Sequence, residues 1–180
     1  MSRLSSDLLK QAKDLASQDP NRPKDASIRR AISTAYYSLF HFLLDEASGI
    51  LVGASQNDKP IRHLLSRCFG HGQMLKAYET IVGQATKGAS PVYAPFARSI
   101  RNQANDLLVV AKTFKDLQEH RHRADYDLSQ RYTRAQALKS VSDVEDAMRA
   151  WKRIKNADRS VVQLVAVMLL HSAEIQKRHS

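Results

Sequence analysis

The stretch Ala35-Tyr-Tyr-Ser-Leu-Phe-His-Phe-Leu-Leu44 decides the fold class of this chain of 180 residues. It has apolar side chains on nearly every side of a helix, whereas a helix at a protein surface has one apolar face. We therefore expect this helix in the middle of a helical core. The polar atoms of Tyr36, Tyr37 and His41 then need hydrogen-bond partners. For His41 we favour a core or groove position over a catalytic one, because lone histidines on apolar helices rarely catalyse alone.

On both sides of this stretch, apolar residues recur every three or four positions between a few breaks rich in glycine and proline. This spacing predicts helices rather than strands. The predicted helices cover about residues 3–18, 26–47, 59–82, 95–123, 133–156 and 158–178. The predicted helix-start residues are Asp25, Asp58 with Pro60 in the first turn, the capping box Thr133–Gln136, and Asp158 or Ser160. The sequence thus predicts an all-α helical bundle, a single domain over 1–180.

The composition is that of a basic globular protein. Hydrophobic residues make up 43% and charged residues 26%, and the net charge is +10 at pH 7. Such a charge favours polyanionic partners, nucleic acid first, and carries no information about the fold. The single cysteine, Cys68, excludes an internal disulfide framework. The single cysteine, together with a polar N-terminus and no visible secretory signal, predicts a cytoplasmic protein.

The longest apolar run is Val161–Leu170, which is too short to span a bilayer, so we expect no membrane partner. It is either a buried terminal helix or an oligomerisation surface. A lone β-branched strand would have nothing to pair with. Because an apolar run of this kind needs to be covered and two-fold dimers are the commonest assembly, we expect a homodimer.

The densest polar cluster is Leu117-Gln-Glu-His-Arg-His-Arg-Ala-Asp-Tyr-Asp127, at a predicted helix end. Two interpretations are open. Cations in the last turn complement the helix dipole and aspartates stabilise turns, so the cluster is a helix stop. Alternatively, arginines beside titratable groups bind phosphate and support acid–base chemistry. The candidate site residues are His120, Arg121, His122, Asp125 and Tyr126.

Two motifs together resemble a known family. Arg29-Arg-Ala-Ile-Ser-Thr-Ala-Tyr-Tyr-Ser-Leu-Phe-His41 is followed about eighty residues later by Arg121-His-Arg-Ala-Asp-Tyr-Asp127. This order resembles the bacterial branch of the HEPN family, the nucleotide-binding domain of higher eukaryotes and prokaryotes. The resemblance covers about residues 26–156, with Ala135–Ile154 as the closing helix. It implies a helical bundle, usually dimeric, in a family of RNA-cleaving toxins, defence ribonucleases and nucleotide-binding partners.

The ribonucleases of that family use an Arg-x(4–6)-His motif, which this chain lacks. Arg121 matches the arginine, which binds phosphate in the family, but Tyr126 stands where a histidine is needed. Tyrosine titrates near pH 10 and is a poor general base at neutral pH. His120 and His122 are two residues apart and point to different helix faces. The departure makes catalysis doubtful and leaves phosphate binding by Arg121 as the expectation.

A second basic feature lies on the predicted fifth helix. Arg149, Lys152 and Arg153 share one face, with Lys155 close by. This basic stripe is either a solvated helix face or a contact for the nucleic-acid backbone without base specificity.

Metal and cofactor binding are not predicted. Cys68 and His71, with His63 nearby, supply half of a zinc-site spacing, and the chain has no second half. Glycine-rich phosphate loops, the HExxH motif and a nucleophile elbow are also missing.

The leading hypothesis from the sequence is a HEPN-like module that binds RNA or nucleotide phosphates, in a defence or toxin–antitoxin-like setting. One alternative is an active metal-independent ribonuclease, with Arg121 holding the phosphate and His120 or His122 activating the ribose hydroxyl. The other alternative is a helical interaction module for a partner such as a nucleotidyltransferase.

Overall fold

The computed structural model describes residues 3–19, 21–88 and 91–178, with the side chains of residues 85, 91, 92 and 169–178 left aside. The helices are α1 (Arg3–Ser17), α2 (Asp25–Val52), α3 (Lys59–Ser66), α4 (His71–Lys87), α5 (Ala97–Asn102), α6 (Ala104–Tyr126), α7 (Arg134–Ala157) and α8 (Arg159–Arg178), with a 3₁₀-helix at Pro91–Phe96. These ranges contain no strand, so the all-α class is confirmed. The HEPN-like architecture stays a prediction.

The chain groups into two compact units. The first consists of the residues up to Phe42 together with Lys112–Arg149. The second consists of Leu43–Ala111 and the residues from Ala150 onward. The organisation as a single domain stays a prediction.

The first unit is held together by buried apolar residues, many of them small, from four helices. Side-chain size at the contact sets how closely helices approach, so alanines allow close packing here. The buried cluster consists of Ala16 of α1, Ile28, Ala31 and Ile32 of α2, Ala124 of α6 and Ala137 of α7. At the end of α1, Arg134 donates hydrogen bonds to the carbonyls of Ala16 (3.0 Å) and Gln18 (2.7 Å). These bonds satisfy carbonyls that a helix end leaves without partners.

The stretch that predicted the fold class lies in the core, as expected. Every residue from Ala35 to Leu44 is buried except Tyr37 and His41, which are half-buried. Burial lowers the pKa of His41, whose ring centroid lies 5.3 Å from that of Phe40. A neutral imidazole packed on an aromatic ring agrees with the predicted core or groove position.

The predicted helix over 59–82 is wrong as a single element, because the chain forms α3 and α4 there. Gly70 has an extended backbone (φ −101°, ψ 152°) directly before α4. Its N–H donates to Oε1 of Gln73 at 3.0 Å, which starts the new helix. Apolar spacing alone does not distinguish one long helix from two shorter helices with similar faces.

The predicted helix over 95–123 is also wrong as a single element. The chain forms the 3₁₀-helix, then α5, and α6 extends to Tyr126. Gln103 leaves the helical region (φ −106°, ψ 9°) between α5 and α6, while Ile100 is buried. No glycine or proline marks this position, so the break depends on tertiary packing.

The predicted capping box is confirmed at the start of α7. The N–H of Gln136 donates to Oγ1 of Thr133 (3.3 Å), and the N–H of Thr133 donates to Oε1 of Gln136 (2.8 Å). The expectation that the Asp58 side chain caps α3 is wrong. It accepts hydrogen bonds from the N–H and Oγ of Ser55 instead, and so stabilises the preceding turn.

The apolar run is a buried helix, the first of the two interpretations. Asp158 precedes α8 and accepts a hydrogen bond from the N–H of Ser160 at 2.9 Å, as predicted. From Val161 to Met168 only Gln163 and Val167 are exposed. Because α8 packs against α4 within the second unit, the apolar run no longer argues for a dimer. The homodimer stays a prediction that depends on the family resemblance.

Each helix of the described ranges is too short or too polar to cross a bilayer.

Candidate functional site

Arg121 lies near the end of α6 in the first unit, where it contacts α2. Its Nη2 donates a hydrogen bond of 2.6 Å to the hydroxyl of Tyr37. Its Nε lies 3.0 Å from Oδ2 of Asp125, an ion pair without hydrogen-bond geometry. Within the described residues, Nη1 has no partner, and the side chain is 25% exposed. The guanidinium is therefore held by Tyr37 and Asp125, and part of the side chain is exposed to solvent.

Asp125 is itself held in place from α2. Ser33, which is fully buried, donates a hydrogen bond of 2.5 Å from Oγ to Oδ1 of Asp125. The carboxylate thus connects a buried hydroxyl on one helix with the guanidinium of Arg121 on another. This ion pair orients Arg121.

The electrostatics of the site keep Arg121 charged. Burial acts to lower its pKa, but the hydrogen bond to Tyr37 and the charge of Asp125 outweigh burial, so the pKa lies above its ordinary value. Burial also raises the pKa of Tyr36, against the opposing effect of Arg121. Tyr36 is therefore protonated at neutral pH, and its ring, 5.7 Å from that of Phe114, packs in the core.

Tyr126 lies on the exposed side of Arg121. The guanidinium carbon is 5.8 Å from the ring centroid of Tyr126 and 5.4 Å from that of Tyr37, within the range of cation–π contacts. The ring of His122 is 5.1 Å from that of Tyr126. The structure thus brings Arg121, Tyr126 and His122 together at one surface.

His120 belongs to a different neighbourhood. Its ring centroid lies 6.4 Å from that of Tyr132, and its carbonyl accepts a hydrogen bond of 3.2 Å from the Tyr132 hydroxyl. Two histidines were considered as substitutes for the missing imidazole. Of these, His122 is the one whose ring lies beside Tyr126, which in turn contacts Arg121.

Sequence reasoning missed Arg29, which organises the turn after α6. Its guanidinium donates to the backbone carbonyls of Ala124 (3.0 Å), Asp127 (3.0 Å) and Gln130 (2.5 Å). Its Nε donates to Asp25 at 2.6 Å, so Asp25 lies in the first turn of α2 as the partner of Arg29. Arg29 is part of the quoted motif, but neither spacing nor composition predicted where its side chain would reach.

The turn itself is also internally bonded. Asp127 accepts hydrogen bonds from the N–H (2.9 Å) and Oγ (2.6 Å) of Ser129, which lower the pKa of its carboxyl group. This is the local hydrogen bonding that aspartate provides in turns. The segment is thus both a helix stop and an organised surface around Arg121.

Most of the basic stripe is paired with acidic side chains, whereas Lys152 is exposed and has no partner within the described ranges. Three cations have carboxylate partners: Arg149 with Asp146 (2.5 Å), Arg153 with Asp106 (2.6 and 3.1 Å) and Lys155 with Glu46 (2.7 Å). The pairing leaves less free positive charge than the sequence suggested, and nucleic-acid contact by the stripe stays a prediction.

Comparisons of the chain with protein-family models, curated proteins and solved structures found no match. Among the described side chains, histidine, cysteine, aspartate and glutamate nowhere form a group of three or more suited to a metal ion.

Proposed function

We propose that this protein is a HEPN-like module that binds the phosphate groups of RNA or a nucleotide through Arg121. The observation that carries the proposal is the state of its guanidinium, which is charged and held by Tyr37 and Asp125, on a side chain that is partly exposed to solvent. Arginine forms strong, oriented hydrogen bonds with phosphate oxygens. The net charge of +10 supports a polyanionic partner.

The sequence motif favours binding without efficient cleavage. Tyr126 occupies the motif position of the catalytic histidine, and a phenol is a poor proton acceptor at neutral pH. General acid–base help contributes roughly 10²–10⁴-fold to turnover, so its loss leaves weak activity at most. The resemblance favours a homodimer in a defence or toxin–antitoxin-like setting.

One observation favours the alternative of a metal-independent ribonuclease. The ring of His122 lies beside the ring of Tyr126, and the Tyr126 ring in turn lies beside the guanidinium of Arg121. In this alternative, His122 and not His120 is the proton acceptor. Cleavage of a labelled RNA in the presence of chelator, abolished by His122→Ala, would establish it.

The proposal is tested by fluorescence anisotropy with a labelled single-stranded RNA, comparing Arg121→Ala with Arg123→Ala. Arg123 is an exposed neighbour whose acidic partner, Glu119, is 3.7 Å away, so both variants lose the same charge. Because a hydrogen bond to a charged group is lost, we expect Arg121→Ala to bind the RNA at least roughly tenfold more weakly than wild type. We expect Arg123→Ala to bind within about threefold of wild type, since screened contacts to phosphate contribute less.

Circular dichroism of both variants checks the fold. If Arg121→Ala unfolds, Arg121→Lys supplies the test, because lysine keeps the charge but lacks the planar fork. Equal binding by the wild type and the folded Arg121 variant would contradict the proposal. A lack of RNA and nucleotide binding by the wild type would contradict it as well.

A further inference from the structure

Tyr126 is an unusually exposed aromatic residue. Its exposed fraction is 67%, although it ends a helix whose inner face is buried. Large apolar surfaces in solvent commonly mark interaction sites when they are grouped. Here the ring is grouped with the imidazole of His122 and the guanidinium of Arg121.

The position of Tyr126 is fixed by the backbone around it. Arg29 binds the carbonyls of Ala124 and Asp127, which lie on either side of Tyr126 in the chain. The Asp127–Ser129 hydrogen bonds fix the next turn. A backbone held in this way loses little conformational freedom when a ligand binds, which favours affinity.

From this arrangement we infer that Tyr126 and His122 form a stacking platform for an unpaired base of single-stranded RNA, next to a phosphate at Arg121. The inference rests on the proposed function and adds the class of ligand. Aromatic rings stack on any base, because every base has a π-face. Bases inside an RNA duplex are already stacked and paired, so such a platform selects single strands, loops and ends.

The charges near the platform favour RNA over an apolar protein segment. The guanidinium of Arg121 lies beside the Tyr126 ring, and the neighbouring carboxylate of Asp125 is occupied by Ser33 and Arg121. A polyanion gains from this cation and from the net charge of +10, whereas an apolar segment does not.

The experiment separates base stacking from phosphate binding. Three labelled probes of about twelve nucleotides are used: a single-stranded RNA, an abasic strand of the same length, and a duplex. Tyr126→Leu removes the ring, Tyr126→Phe keeps it, and Leu128→Ala alters the neighbouring 86%-exposed side chain as a control.

We expect Tyr126→Leu to bind the single strand roughly five- to a hundredfold more weakly, the loss typical of one stacked base. Tyr126→Phe and Leu128→Ala should bind within about twofold of wild type, since neither removes a stacking face. Abasic-strand affinity should be equal in the wild type and Tyr126→Leu, while Arg121→Ala weakens binding of both single strands.

Equal single-strand affinity in Tyr126→Leu and wild type, with Arg121→Ala still weakened, would overturn the platform and leave phosphate binding intact. Tighter binding of the duplex than of the single strand would also overturn the platform. Equal loss of single-strand affinity in Leu128→Ala and Tyr126→Leu would indicate a general apolar surface and refute the inference. Failure of every probe to bind would refute the platform and the RNA-binding part of the proposed function, and nucleotide binding by the wild type would then test the remaining part.

Discussion

Replacing Arg29 with methionine tests how the surface around Arg121 is held together. Methionine has an unbranched apolar side chain that resembles the aliphatic part of arginine, and it lacks every side-chain hydrogen-bond donor of Arg29. Arg29 is 13% exposed at its side chain and donates to three backbone carbonyls. A hydrogen bond to a charged group contributes about 1.5–3 kcal/mol, and a carbonyl left unpaired and buried costs a similar amount.

Not all of this free energy is lost in the variant. Asp127 and Gln130 are half-buried, so water replaces part of what Arg29 supplies, and the exposed pair with Asp25 contributes little. If the equivalent of one or two of the three carbonyl bonds is lost, the free energy of unfolding falls by about 2–4 kcal/mol.

Urea unfolding followed by circular dichroism measures this change, with Arg30→Met as the matched control. Arg30 is the exposed neighbour on α2 and has no hydrogen bond or ion pair within the described residues. We expect Arg30→Met to change the unfolding free energy by less than about 0.5 kcal/mol. Arg29→Lys should recover only part of the loss, because lysine lacks the planar fork. Equal stability of the Arg29→Met and Arg30→Met variants would refute the role of Arg29.

Three further predictions concern the second unit. If the stripe contacts RNA, Lys152→Ala should reduce the slope of log RNA affinity against log salt concentration by about one, the value for one phosphate contact. The free energy of unfolding should not change. Arg153→Ala should instead lower the free energy of unfolding by about 1 kcal/mol, because it removes the two hydrogen bonds to Asp106. Salt titrations of RNA binding measure the first effect, and urea unfolding measures the stability of both variants. Asp158→Ala should cost about 1 kcal/mol at pH 7, since Asp158 stabilises the start of α8. Hydrogen bonding by Ser160 lowers the pKa of Asp158 in the folded protein below its value in the unfolded chain. The stabilisation by Asp158 is therefore complete above the pKa of the unfolded chain and is lost as the pH falls through the pKa of the folded protein. The difference in unfolding free energy between Asp158→Ala and wild type should therefore become smaller below about pH 4. A difference that does not change with pH would contradict this role of Asp158.

The sequence by itself determined the features that depend on local patterns. The apolar surface of Ala35–Leu44 predicted a buried helix, and Thr133 with Gln136 predicted the start of α7. The same reasoning identified the polar segment at the end of α6 as the candidate site. These signals are readable because a helix repeats every 3.6 residues and its caps lie within one turn.

Only the tertiary structure decided which side chains meet. Tyr37 and Arg121 are 84 residues apart in the chain, and Arg29 reaches carbonyls 95 to 101 residues away. The break at Gln103 likewise has no local signal. Sequence periodicity shows which face of a helix is apolar, but not how two helices are rotated and shifted against each other. That rotation, set by the packing of small residues such as Ala31 and Ala124, determines that Arg121 contacts Tyr37 and that Arg29 reaches the turn beside Tyr126.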